Sequence, residues 1–292
     1  MPKFSHRLEY TFLKTAQGIF SLCGLKNTRR IARVLGRFVY KVAPIRKDVV
    51  IRNLSIAFPD KTPAEIDALA RRCYIAAAVS FAEILCIPSL SRDEINAQVK
   101  IPSVQMLNER YAEQKGVILL TAHFGNWEFA FLAVGMQLIT PIVGVVKNQS
   151  NDFVTADLNK MRTRWGNKVV TLGVSIREIY KALKNREIVS MVGDQRGPTE
   201  GPRVLLFNRP SAVYTGPAAL AIKSGAPLYF GVMIRQPDES YEMAFHEVSK
   251  EGLPEDEQDA IIELTQRHST MLEAAIRQQP ESWFWMHNRW KY

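Results

Sequence analysis

The sequence predicts an α/β fold: a largely parallel central sheet flanked by helices, preceded by an N-terminal membrane-associated helical segment. Three observations carry this. Two short apolar runs, Val117–Leu120 and Ile188–Val192, break abruptly into Gly-containing polar turns, as buried parallel strands do where they deliver side chains to the carboxyl edge of a sheet. Helical patterns separate these runs, as crossover connections require. The basic charge is also confined to the start of the chain. Twelve of the 38 Lys/Arg but only two of the 29 Asp/Glu lie in residues 1–52, so this segment carries +10 and the remainder −1. The expected organisation is a basic amphipathic anchoring segment, 1–52, and one domain carrying the chemistry, 53–292.

With 292 residues, 47% hydrophobic and 23% charged, the chain can build one large core, which excludes extensive disorder. Cys23, Cys73 and Cys86 form no C-x-x-C pair and leave an odd count, which suits reduced thiols in a cytosol-facing protein and suggests no metal site. The N-terminal charge calls for an acidic partner surface: nucleic acid, anionic lipid or an acidic carrier protein.

Residues 10–25 are too short and too interrupted for a confident span of about 20 apolar residues, and read as an interfacial anchor. From Asn27, Ile31, Val34, Leu35, Phe38, Val39 and Val42 form one helical stripe while Arg30, Arg33, Arg37 and Lys41 line another face. Such a helix lies in a headgroup layer or packs on the core with its basic face solvated. Its aromatics fall in the apolar pattern instead of interleaving with the cations, and no recognition motif accompanies them, which argues against nucleic acid.

Thr62-Pro63-Ala64-Glu65 is a capping box with proline at the first helical position, opening a helix that runs to about Ile87. Residues 129–146 hold no charge, but Gln137 and Pro141 divide them into a buried helix ending near Ile139 and a strand, Ile142–Val146. Further elements are expected as a helix over 152–165, a strand over 169–172 and a helix over 176–183. After the strand 188–192 come a helix over 218–223, strands over 227–234 and 241–248, and a long helix over 255–278.

Chemistry concentrates where the first apolar run ends, at His123-Phe-Gly-Asn-Trp-Glu128. Five residues along a continuous helix diverge by about 140° at roughly 100° per residue, so His123 and Glu128 can meet only across a turn. Gly125 frees that turn and Asn126 can cap the following helix. A histidine held by a carboxylate is a general base near neutral pH; the same pair also fits a satisfied strand-end histidine beside a helix-capping glutamate. No Gly-x-Ser-x-Gly elbow, P-loop or His-Glu-x-x-His helix occurs, which argues against a serine hydrolase, a P-loop NTPase and a zinc protease. His6 and His268 lie on polar segments and His246 in a strand, leaving His123 and His287 in motif-like surroundings.

The string His123–Glu128, the later Gly193-Asp194-Gln195-Arg196 and the terminal stretch from Pro280 to Lys291 resemble the late acyltransferases of lipid A biosynthesis, a branch of the lysophospholipid acyltransferase superfamily with a His-x4-Asp/Glu motif. The resemblance runs nearly the whole chain in the same order and implies a glycerol-3-phosphate acyltransferase-like fold over 53–292. It implies His123 and Glu128 as catalytic residues, Glu128 orienting the imidazole, with direct attack of a substrate hydroxyl on an acyl thioester. The donor would be acyl-carrier protein, the acceptor a lipid A precursor hydroxyl, and the place the cytoplasmic face of the inner membrane, with no cofactor and no metal. Asn126, Lys147, Arg162, Arg164, Asp194, Gln195 and Arg196 are the expected substrate-binding residues, the cations for phosphate and Asp194 for ordering Arg196 or a substrate hydroxyl. Backbone N–H groups of 193–197 or a neighbouring arginine are expected to serve the oxyanion. Trp283, Phe284, Trp285, Trp290 and Tyr292 fit either an acyl-chain or bilayer contact or a packed clasp, with Arg289 facing substrate. Two alternatives stay open: acyl-CoA chemistry on a lysophospholipid or glycolipid, and a non-catalytic membrane-surface binding protein.

Overall fold

The computed structural model describes residues 4–113, 116–173 and 176–291. Helix α1 (Phe4–Val42) breaks at Gly24, whose backbone leaves the helical region. Helices α2 (Lys47–Ala57) and α3 (Pro63–Cys86) follow. Both halves of the capping box form on α3: the Thr62 hydroxyl accepts from the Glu65 N–H and the Glu65 carboxylate accepts from the Thr62 N–H at 2.8 Å. Next come α4 (Arg92–Gln98), β1 (Val99–Lys100), α5 (Val104–Ala112), β2 (Val117–Thr121), α6 (Trp127–Gln137) and β3 (Ile142–Val146). The chain continues through α7 (Asp152–Arg162), β4 (Lys168–Thr171), α8 (Ile176–Lys184), β5 (Ile188–Val192), β6 (Arg203–Leu206), β7 (Arg209–Ala212) and α9 (Gly216–Ser224). It closes with β8 (Leu228–Phe230), β9 (Ile234–Arg235), β10 (Tyr241–Glu242), β11 (His246–Glu247) and α10 (Glu257–Gln278), then a strap over 280–291.

Six strands form the central sheet in the order β11-β8-β2-β5-β3-β4, parallel throughout except for β11 on β8. Alternation along β2 divides the core. Ile118 and Leu120 join the apolar cluster that includes α3 and α8–α10, whereas Val117 and Leu119 join the one that includes α4–α6. Both faces are thus covered, which is what a parallel sheet of continuous apolar strands requires.

Expectation and structure differ at several elements. The two long strands expected over 227–234 and 241–248 are each split, because Gly231 fits tightly against the Ala244 carbonyl and the chain crosses there into a second, three-stranded sheet, β1-β10-β9. The hairpin β6-β7 was not expected; its two-residue turn places Phe207 and Asn208 at φ 54° and 55°, the geometry that matches strand twist. The boundary expected at residue 52 falls inside α2, whose Val50 and Leu54 are both fully buried.

The basic helix is oriented by a buried face made mostly of small residues. Thr28, Ala32, Gly36 and Tyr40, at four-residue spacing, turn into the protein. A Cβ at Gly36 would stand 2.8 Å from the Ile75 Cα, so glycine lets α1 lie directly on α3. The expected apolar stripe faces outward instead, with Val34 and Phe38 about 60% exposed (62% and 58%) and Ile31, Leu35 and Val42 also exposed. Among the described residues one helical stretch, Pro63–Ser89, is long and apolar enough to cross a membrane by length and composition.

Gly36→Val should therefore lower stability by about 2 kcal/mol through overpacking of the α1–α3 contact, measured by thermal or urea unfolding in detergent. An unchanged transition would show that the two helices separate freely.

Candidate active site

Strands β2 and β5 are parallel neighbours with Thr121 opposite Val192. Their continuations therefore emerge side by side at the sheet's carboxyl edge, and the residues two positions beyond each register partner are His123 and Asp194. The Asp194 Oδ1 lies 2.7 Å from His123 Nδ1, while Oδ2 accepts the His123 backbone N–H at 3.0 Å and the Trp283 indole N–H at 2.8 Å. The carboxylate that orients the imidazole is thus Asp194, not Glu128 as expected, and Asp194 faces histidine instead of Arg196 or a substrate hydroxyl.

Glu128 is buried in the first turn of α6 and is gripped by Arg162, whose Nε and Nη2 donate to its two oxygens at 2.9 and 2.5 Å. This fork-to-fork geometry is the strong form of a guanidinium–carboxylate pair. It corrects the expected role of Arg162, which holds Glu128 and is not turned to a phosphate. The Glu128 charge still acts on His123 through space.

The turn between His123 and Glu128 is fixed at every step. Gly125 sits at φ +58°, and a Cβ there would meet the Met233 carbonyl at 2.5 Å, so only glycine fits. Its N–H donates to the Ser282 carbonyl, and the Phe284 N–H donates to the His123 carbonyl. Asn126 caps α6 by accepting the Phe129 N–H, while its amide nitrogen donates to Glu83 Oε2 at 3.0 Å. With no exposed surface and both ends of its amide engaged, Asn126 is not the substrate contact that was expected.

The remaining expected cations scatter. Lys147 is exposed just beyond the end of β3, on the same edge as His123. Arg164 points away: Nη1 donates to the carbonyls of Pro88 and Leu90, and the guanidinium stacks on Trp165. Arg196 donates from Nη1 to the Asn288 carbonyl, and its backbone N–H goes to His287 Nε2. Since the Gly193 and Gly197 N–H groups also bond within the protein, to the carbonyls of Thr121 and Ala212, most of this turn is not available to an oxyanion. Gln195 is exposed on the same turn.

The aromatic C-terminus is chiefly a clasp: Trp283, Trp285 and Trp290 are buried against one another, and Tyr292 lies outside the described residues. Arg289, expected to face substrate, is buried with Nη1 on the Ala212 carbonyl, and burial pulls its pKa down to about 10. His268 is buried in α10, not on a polar surface; burial lowers its pKa to about 4, as it does for His287. Phe284, Trp127 and Phe81 instead form an edge-to-face collar beside His123, the Trp127 ring centroid 5.0 Å from the imidazole.

Glu83 was missed by the sequence reading. It has no exposed surface, yet accepts from Arg29 Nε at 2.6 Å, Arg235 Nη2 at 3.0 Å, the Tyr241 hydroxyl at 2.6 Å and Asn126. The signal was a lone carboxylate among apolar residues in α3, since an ionised group there requires partners.

Chemically, the site presents an imidazole whose Nδ1 is committed to a buried carboxylate and whose side chain keeps 23% of its surface open. Burial opposes protonation of His123, but the charge and hydrogen bond of Asp194, with a smaller share from Glu128, outweigh it and raise the imidazole above its ordinary value of 6.5. Asp194 is held below the usual carboxylate range: burial pushes it up, but His123 and the Trp283 N–H prevail. Such a pair accepts a proton from a hydroxyl and returns it to a leaving group.

The family model described as bacterial lipid A biosynthesis acyltransferase matches residues 2–292. The chain is 25% identical over 268 residues to the lipid A biosynthesis lauroyltransferase of Escherichia coli (strain K12), covering 90% of this chain and 84% of that protein. It is 23% identical over 248 residues to the lipid A biosynthesis palmitoleoyltransferase of the same organism, covering 84% and 79%. A third relative, the phosphatidylinositol mannoside acyltransferase of Mycolicibacterium smegmatis, is 23% identical over 174 residues, 58% of this chain and 57% of that protein.

Two outcomes test this geometry. Arg162→Met strands the Glu128 charge and should cost about 3–5 kcal/mol in denaturant unfolding, most of it recovered in Arg162→Met/Glu128→Leu; equal stability of the two variants would contradict the buried pair. The His123 imidazole, followed by NMR, should titrate above 6.5 in the wild type and lower in Asp194→Asn, because the carboxylate stabilises only the cationic ring.

Proposed function

Because the chain belongs to the bacterial lipid A biosynthesis acyltransferase family and is thus an acyltransferase of the EC 2.3.1 type, we propose that it moves a fatty acyl chain from acyl-carrier protein to a hydroxyl of a lipid A precursor at the cytoplasmic face of the inner membrane. The observation that carries this reading is the His123–Asp194 pair at the carboxyl edge of the sheet, with the aromatic collar beside it. In this mechanism Asp194 fixes the tautomer with the proton on Nδ1, leaving Nε2 to take the proton of the acceptor hydroxyl. The oxygen attacks the thioester carbonyl, a C–O bond forms as the C–S bond breaks, and the proton passes to the departing thiolate. No acyl-enzyme forms. Glu128, neutralised by Arg162, keeps the α6 end of the turn in place, and the start of α6 lies in the same loop as the base, where helix polarity favours developing negative charge.

The outward apolar stripe of α1, continued by Phe12, Ile19 and Leu22 ahead of Gly24, supports insertion into the interfacial layer. Exposed Arg30, Arg37 and Lys41 beside it suit anionic headgroups. Lys147 is the cation best placed for a phosphorylated acceptor. The similarity to a phosphatidylinositol mannoside acyltransferase favours a second acceptor class, a phosphorylated glycolipid, with the same base.

Mass analysis of lipids from cells lacking the gene, complemented with wild type or His123→Ala, tests the reading. Lipid A lighter by one acyl chain and restored by wild type alone is the expected result. An unchanged lipid A with a lighter glycolipid would select the second acceptor, and restoration by His123→Ala would remove His123 as the base.

A further inference from the structure

The strap 280–291 enters the site at a specific point. Trp283 pairs with Phe124 through an antiparallel bridge, is 4% exposed, and has its ring fixed edge-to-face by Trp285 at a centroid distance of 4.7 Å. Its indole N–H therefore meets Asp194 Oδ2 from a position it cannot easily leave. Oδ2 takes two donors, this N–H and the His123 backbone N–H, and Oδ1 takes the imidazole. A carboxylate turns about its Cβ–Cγ bond, so two donors on one oxygen hold the other in line with Nδ1. An indole N–H can only donate, which makes it a one-way brace: it stabilises the charged carboxylate and cannot accept from the ring.

We propose that Trp283 is a positioning residue for the acyl transfer, its indole N–H orienting Asp194 and moderating that carboxylate's pull on the proton of His123. The proposal rests on the reading of His123 as the base. Other ionisable groups lie around this pair on the neighbouring elements: Glu128 on α6, paired with Arg162 on α7; Arg196 in the turn after β5, whose charge acts on His287 and Arg289; and His287 and Arg289 in the strap. Glu128 acts on His123 and Arg289 on Asp194 through space, which shifts the pair without orienting it, whereas burial holds His287 near pKa 4 and therefore neutral around pH 7. Trp285 provides the comparison within the same clasp, because its indole N–H donates to the Pro280 carbonyl and does not reach Asp194.

The test is an NMR titration of the histidine-labelled full chain in detergent, with His123→Gln to assign the signal, comparing wild type, Trp283→Phe and Trp285→Phe. Losing the indole donor concentrates charge on Asp194 while the His123 backbone N–H still holds Oδ2, so Trp283→Phe should raise the His123 midpoint by about half a unit and move the acid limb of the kcat profile with it; a lowered midpoint overturns the proposal. Trp285→Phe keeps an aromatic ring against Trp283 and leaves the Trp283 N–H on Asp194, so it should leave the midpoint in place. A purely structural clasp would lower activity equally at all pH without moving the midpoint, and that result, or equal shifts in both variants, overturns the proposal. If Trp283→Phe does not fold, benzothienylalanine introduced at position 283 keeps the bicyclic shape without the N–H and is read in the same way. The titration needs no substrate, so a failure to find any acylated lipid would count against the proposed function and leave this result intact.

Discussion

Everything at the site follows from the parallel register of β2 on β5. Pairing Thr121 with Val192 places the two strand ends together at the centre of the sheet, and the residues just beyond them supply an imidazole and a carboxylate. A slip of one residue would turn either side chain to the opposite face. The register is protected because β2 is buried at every position and β5 at three of its five, between unlike apolar clusters on the two faces, so a slipped pairing would leave the core unfilled.

The loop after β2 is held from five directions. His123 bonds to the turn after β5, Gly125 to the strap, Asn126 to α3, Glu128 to α7, and the glycine backbone lies against Met233. Two buried carboxylates, Glu83 and Glu128, form part of this frame, each neutralised by arginine from another element. Burying such pairs is costly, and their benefit is often specificity of arrangement more than stability. Here the arrangement joins the N-terminal helix to the site. Arg29 of α1 reaches Glu83, Glu83 holds Asn126, and the first arm of α1 meets α7 through Lys14 and Gln17 on Asp157. The segment that faces outward with its apolar stripe is therefore also tied into the framework of the candidate site.

Much was legible in the chain because it depends on neighbours in sequence. The capping box at Thr62, the apolar runs of β2, β3 and β5 and the apolar stripe of α1 are patterns of a few residues, whereas the direction in which that stripe faces is decided by the close approach of Gly36 to α3. His123 stood out because a polar turn interrupts an apolar strand. The turn at Phe207-Asn208 passed unnoticed since a lone asparagine in the left-handed region is a weaker sign than Asn-Gly. Likewise α4 carries a capping box at Ser91 and Glu94 that the apolar periodicity did not reinforce.

The sequence by itself determined the fold class, the strand-end histidine and the basic amphipathic start, because period, turn chemistry and charge act over short distances along the chain. Only the tertiary structure decided which groups touch. Asp194 lies 71 residues from His123, and its approach depends on strand register; Arg162 rather than His123 became the partner of Glu128 because the last residue of α7 reaches the first turn of α6. The cations Arg164 and Arg196 turned to carbonyls, and Trp283 came to brace Asp194, for the same reason. A polar side chain's partner is set by whichever buried group would otherwise go unpaired, and that is a property of the packed core, not of the local chain.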